Sequence, residues 1–236
     1  MMKIEEAFSY PFKDDDWPMK LLKGTVFTYI PIVNFFSKGY AYTVFKAALN
    51  KEELYMPEWD DYEGYFIKGF WVFFIKFCYS FIPLFLSFSG IGLTALGLYL
   101  YHLKRGDEFI VIAVVGMVFF LIGFILGFIV MVIYPMALAN YAKGGERFGE
   151  AFRLLDIFSK VFRVFGDYVI AFLIMFCVVF VIFFLVMLPL IGVLFSLVHL
   201  VAVFYLYYLV WFGLVGRACS GAFHDDFGVA PVVPGK

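Results

Sequence analysis

The chain is 236 residues long, 64% hydrophobic and only 16% charged. A soluble domain is roughly half apolar and a quarter charged, and disorder needs low hydrophobicity. Three cysteines in this length exclude a disulfide-stapled scaffold, and a formal net charge of −1 leaves no basic field for nucleic acid. What remains is a polytopic membrane protein.

The first 23 residues form a polar N-terminal segment. It carries acids where a signal peptide carries bases, so no cleaved leader is expected. Asp14-Asp15-Asp16 precedes Trp17-Pro18. Asp16 reads as a helix N-cap with proline in the first turn, and cation binding by the triplet is the sharper alternative. Residues 24–37 form an uncharged run of 14. As a helix that is about 21 Å, too short for a hydrocarbon core of about 30 Å. A crossing needs the helix to continue past Lys38 to Leu49, with Lys38 snorkelling. A re-entrant hairpin kinked at Pro31 is the alternative.

The acidic linker, 50–68, holds Glu58, Asp60, Asp61 and Glu63 around Trp59 and Tyr62. Crowded carboxylates suit Mg²⁺ or Ca²⁺, which makes these four the metal candidates. The plainer reading is a loop that caps the next helix, with the aromatics on the bilayer. Residues 62–76 place Lys68 and Lys76 on one side and phenylalanines elsewhere, as an interfacial stretch feeding the next span.

Three long runs lack Asp, Glu, Lys and Arg: 77–103, 109–142 and 168–216. The last is long enough for two spans, divided near Pro189 and Gly192. Tyr99 and Tyr101, Tyr134, and Tyr205 to Trp211 stand at the ends as aromatic belts. The runs are continuous, not alternating, so helices are expected and a β-barrel is not. Gly116, Gly123 and Gly127 form a small-residue stripe for close helix packing, within the chain in preference to a dimer. Gly90, Gly92 and Gly97 thin the preceding span. In 148–165, Glu150, Arg153, Asp156, Lys160 and Arg163 recur every three or four residues opposite an apolar face. That predicts an amphipathic helix in the membrane plane, with Arg153, Lys160 and Arg163 at the interface. Asn34 and Asn140 are candidates for bonds across helices. His199 has no acid nearby and reads as bonded to a carbonyl. His224-Asp225-Asp226 belongs to a solvated tail, 217–236.

The fold class is therefore all-α: one polytopic transmembrane helix bundle of four to six spans with interfacial amphipathic helices. With five spans, 12 lysines and arginines fall on the side of the C-terminus and 6 on the other. A hairpin at Pro31 changes this to 16 and 2, and a six-span reading broken at 87–90 gives 11 and 7. The positive-inside rule makes the C-terminus cytoplasmic. GYAYTVFKA at 39–47, PMALANYAK at 135–143 and RACSGAFH at 217–224 are three small-residue helix ends. They read either as a duplicated unit or as the ordinary chemistry of span ends.

YPFKDDDWPMKLLKG, IPIVNFFSKGYAYTVFKAAL, MPEWDDYEGYFIKGF and the later YPMALANYAK resemble domain-of-unknown-function family 4013 of prokaryotic membrane proteins. Met56 stands where the family more often has leucine. The resemblance implies a prokaryotic cell membrane and supplies no activity. No catalytic residue, cofactor-binding residue or cofactor is expected. The expected partners are the lipid bilayer and another membrane protein or a second copy. The expected role is non-enzymatic organisation of lipids or proteins. A transporter or channel for a small or lipophilic solute is the alternative, and a lipid-headgroup-modifying enzyme using 58–63 the second.

Overall fold

The computed structural model describes residues 4–187 and 197–223, with side chains at 4–184 and 202–223. Its helices are α1 (Ile4–Ser9), α2 (Trp17–Tyr29), α3 (Asn34–Leu49), α4 (Tyr62–Lys104), α5 (Glu108–Lys143), α6 (Leu154–Arg163), α7 (Phe165–Met187) and α8 (Leu197–Ser220). No strand occurs among the described residues. Four helices are long and apolar enough to cross a membrane, over Tyr62–Lys104, Glu108–Lys143, Phe165–Phe184 and Ala202–Phe223.

Residues 24–48 are not one helix. Ile30 precedes Pro31 and is extended, the geometry that a following proline favours, which ends α2. Ile32 then takes a left-handed φ of 72°. The chain reverses, and the Asn34 amide donates to the Ile30 carbonyl at 2.9 Å. The resulting α2–α3 hairpin has arms of 13 and 16 residues, about 20 and 24 Å long, each shorter than a crossing. Conversely, 87–90 stays helical inside α4, which removes the break that six spans require. The stretch 62–76 is also the start of α4. The stretch 148–165 divides: Phe148–Phe152 is a 3₁₀ turn, Arg153 leaves helical geometry, and α6 follows. The proposed turn at Pro189 and Gly192, the side chain of His199, and His224 to Asp226 lie outside the described residues.

The chain divides into two compact units. Phe74–Tyr134 is one, an antiparallel hairpin of α4 and α5. A β-carbon on Gly116 would meet the Gly90 carbonyl at 2.7 Å, and one on Gly123 the Pro83 carbonyl at 2.8 Å. Glycine is what lets these backbones touch. Gly127 is looser, with only the Pro83 side chain at 3.9 Å, and Gly92 faces open space.

The other unit comprises the chain up to Phe73 and from Pro135 onward. α3 packs most extensively on α8. Gly216 lies against Ala48 and the Phe45 carbonyl, both 2.7 Å from where its β-carbon would be. On its other side α3 meets the start of α4, where a β-carbon on Gly39 would overlap the Tyr65 carbonyl. The three small-residue helix ends form this core. Residues 135–142 are buried without exception, as are Tyr40, Ala41, Phe45 and Ala48 of α3 and Leu214, Ala218 and Cys219 of α8.

Gly39→Ala is expected to destabilise the protein by about 1–3 kcal/mol, the usual cost of overpacking. Gly92→Ala should leave stability unchanged or slightly raised. Thermal unfolding of both variants in one detergent checks the pair; equal midpoints would remove the close approach of α3 and α4.

Candidate functional site

The polar residues of the N-terminal motifs converge on Lys20. α2 carries polar and apolar residues on both its sides, with Leu21 buried and Lys23 exposed. Met19, Leu22, Val26 and Tyr29 are exposed, while Lys20, Gly24 and Thr25 are buried. Lys20 carries its ammonium inward to Asp14 Oδ2 at 2.5 Å and to Glu58, and it donates to the Met56 carbonyl at 3.3 Å. Its backbone carbonyl accepts from Trp59 Nε1 at 3.1 Å. Trp59 stacks on Tyr40 with centroids 4.4 Å apart. Tyr40 donates to the Pro57 carbonyl at 2.9 Å, and Tyr65 to the Glu58 carbonyl at 2.6 Å. The DDDW and PEW segments, some forty residues apart in sequence, are thus two halves of one lysine site. Beside it Ser37 Oγ donates to the Gly24 carbonyl at 2.8 Å, and Gly24 leaves room for the ring of Tyr205.

Desolvation alone would lower the Lys20 pKa, but hydrogen bonds and charge from Asp14 and Glu58 hold it above the ordinary lysine value. The same hydrogen bond keeps the Asp14 carboxyl below its usual 3.8. Burial pushes the phenols of Tyr10 and Tyr40 far up, so both stay neutral. An ammonium so paired is a poor proton donor at neutral pH.

A second cluster closes the end of α8. Arg217 bonds Glu6 of α1 at 2.7 Å, the Ala48 carbonyl of α3 at 3.4 Å, and the Glu52 carbonyl of the linker. Glu6 also accepts from the Leu54 amide at 3.1 Å. Both side chains are nearly buried, at 9% and 13% exposure. Beside them lies an open depression of about 710 Å³ lined by Glu5, Glu6, Lys13, Lys51, Glu53 and Arg217, acids and bases in equal number.

A third cluster joins α5 to α6. Asn140 donates to Asp156 at 2.8 Å and accepts from Lys160 at 2.9 Å, and Lys160 bonds Asp156 at 2.9 Å. Its ammonium also lies 4.2 Å from the ring centroid of Phe223. Lys160 therefore points into the protein, unlike Arg153, whose side chain is 64% exposed and pairs with Glu150 at 3.0 Å. Arg163 donates to the Ala222 carbonyl at 3.1 Å.

The acidic linker is dispersed among separate tasks. Glu58 serves Lys20, and Asp61 caps α4 by accepting from the Gly64 amide at 2.9 Å. Asp60 accepts from the Asp61 amide at 2.9 Å, and Glu63 is exposed. Among the described residues no three His, Cys, Asp or Glu side chains converge as metal ligands. Asp16 stands at the N-cap position of α2 without a side-chain cap bond. Asp14 instead accepts from the Asp16 amide at 2.9 Å and holds Lys20. Asn34 accepts from Lys38 within α3, at 3.3 Å.

A family model described as "Protein of unknown function (DUF4013)" matches residues 24–190. The chain belongs to this family. No curated protein and no solved structure matches it. The DUF4013 region contains Gly24, Ser37, Tyr40, Glu58, Trp59 and Asn140, while Asp14, Lys20 and Arg217 flank it.

Lys20→Met should cost about 1–3 kcal/mol, below the full cost of breaking a buried pair because Glu58 is 70% exposed to screening. The depressed Asp14 pKa contributes stability above pH 3.8 that is lost as pH falls through the folded value. The raised Lys20 pKa contributes stability below pH 10.5 that is lost as pH rises through its folded value. Unfolding midpoints of wild type should drop at both extremes, and those of Lys20→Met should drop less steeply. Parallel pH profiles would contradict the pairing.

Proposed function

We propose that this chain is a non-enzymatic integral protein of the cell membrane that organises lipids or partner proteins. One observation carries the reading. Key polar residues of the motif segments are engaged in internal pairing, while the outer faces of the long helices are largely apolar. Lys20, Glu58, Asp61, Arg217, Asn140 and Lys160 each hold one segment of the chain to another or cap a helix. The runs 77–103, 109–142 and 168–216 carry no Asp, Glu, Lys or Arg, whereas coupled carriers place such groups near the midplane. The second reading, transport, draws support from the α2–α3 hairpin, since broken helices recur at transporter binding sites.

Four crossings with α2–α3 as a re-entrant hairpin put both termini in the cytoplasm and leave only Lys104 and Arg105 among the bases outside. In a variant lacking the three native cysteines, Asp107→Cys should label from outside intact cells and Asp15→Cys only after permeabilisation. The reverse pattern would invert the topology.

Native mass spectrometry of protein extracted gently from its own membrane tests the role. The reading expects a stoichiometric protein partner or a retained lipid class. Saturable solute uptake into vesicles holding the purified protein would favour transport instead.

A further inference from the structure

α6 leads directly into α7, a candidate span, with Val164 between them. The core side of α6 is Ile157 and Val161, both buried. A different side shows Leu155 at 89% exposure, Phe158 at 41% and Phe162 at 73%. These three continue the i, i+3, i+4 sequence of exposed apolar residues on α7, through Phe165, Val169 and Leu173. On a span such as α7 an apolar outer face meets acyl chains, so the same spacing carried across the turn at Val164 into α6 points to the same bilayer as its cover, at the depth where acyl chains give way to headgroups.

The polar side of this segment is basic. Residues 143–163 carry five Lys and Arg against three Asp and Glu, and 147–162 within them three against two. Each acid is engaged within the protein: Glu146 by Lys46 at 2.8 Å, Asp156 by Lys160, and Glu150 by two arginines at once. Arg147 and Arg153 reach that one carboxylate at 3.4 and 3.0 Å, and their side chains are 76% and 64% exposed. Two guanidinium groups on one carboxylate leave a surplus positive charge; Arg147 Nε donates to the Gly144 carbonyl at 2.9 Å, and both exposed groups keep further planar N–H donors of the kind that match phosphate.

We propose that the 147–162 segment is a seat for anionic phospholipid, with Arg147 and Arg153 on the headgroup phosphate and Leu155, Phe158 and Phe162 among the acyl chains. The proposal rests on the organising role above and names its lipid class. Lys160, turned inward to Asn140 and Asp156, takes no part in the contact.

The test reconstitutes the full chain in mixed vesicles with phosphatidylcholine in excess over phosphatidylglycerol. The protein is then re-extracted mildly, and native mass spectrometry quantifies the bound lipid. A basic residue near an anionic surface is worth about fivefold. Wild type should hold phosphatidylglycerol at least about fivefold above its bulk share. Arg147→Gln with Arg153→Gln should lose most of that enrichment. Wild type washed in high salt should lose it too, which decides the matter if the double variant does not fold. Enrichment insensitive to both salt and substitution overturns the site. Retention of phosphatidylcholine with no phosphatidylglycerol preference overturns the site and leaves the organising role standing. Retention of nothing at any lipid ratio overturns the site and the lipid half of the organising role.

Discussion

Arg217 joins four separate segments: α1 through Glu6, α3 through the Ala48 carbonyl, the linker through the Glu52 carbonyl, and α8, to which it belongs. A guanidinium at 9% exposure needs a carboxylate and carbonyls in place, because an uncompensated buried charge costs several kcal/mol. That requirement fixes where α8 stops relative to α3. The glycines follow from it, since Gly216 must let α8 reach the backbone of Phe45 before Arg217 can reach Ala48. Lys20 imposes the same logic at the start of α2, and Asn140 with Lys160 at the end of α5.

Lipid changes which side of a helix is free to be polar. α2 and α6 each turn a lysine, Lys20 or Lys160, toward the protein and leave Met19, Leu22 and Val26, or Leu155, Phe158 and Phe162, exposed. In water that arrangement is costly; against acyl chains it lowers the energy. Lys20, Glu58, Asn140 and Arg217 therefore act as internal fasteners, and the exposed surface of the long helices is left largely to apolar side chains. A protein built this way presents a shaped apolar surface to its surroundings.

Much of the fold was legible from sequence. Long continuous apolar runs are helices in lipid, where barrel strands would alternate, so the four span-length helices and the family were readable from apolar length and motif wording. The hairpin was half legible: Pro31 marked it, but the length of 24–48 equally suited one long helix until Ile30 proved extended and Ile32 left-handed. The lysine site was not legible. Lys20, Asp14 and Glu58 are distant in sequence, and a lysine among leucines reads as a solvated face when the helix is taken to stand in water. Lys160 was read as facing the membrane interface because helical spacing gives the polar side of a helix but not what that side meets. Here it meets Asn140, which only the packing of α5 against α6 places there.

The most direct test of internal fastening is a double-mutant cycle between Glu6 and Arg217, by chemical or thermal unfolding in a fixed detergent. Glu6→Leu and Arg217→Leu alone should each be strongly destabilising. Removing both should cost less than the sum, with a coupling of about 2 kcal/mol or more. Single variants that add to within about 0.5 kcal/mol would contradict the account, because the residues would then contribute independently and the segments would be held together by apolar packing alone.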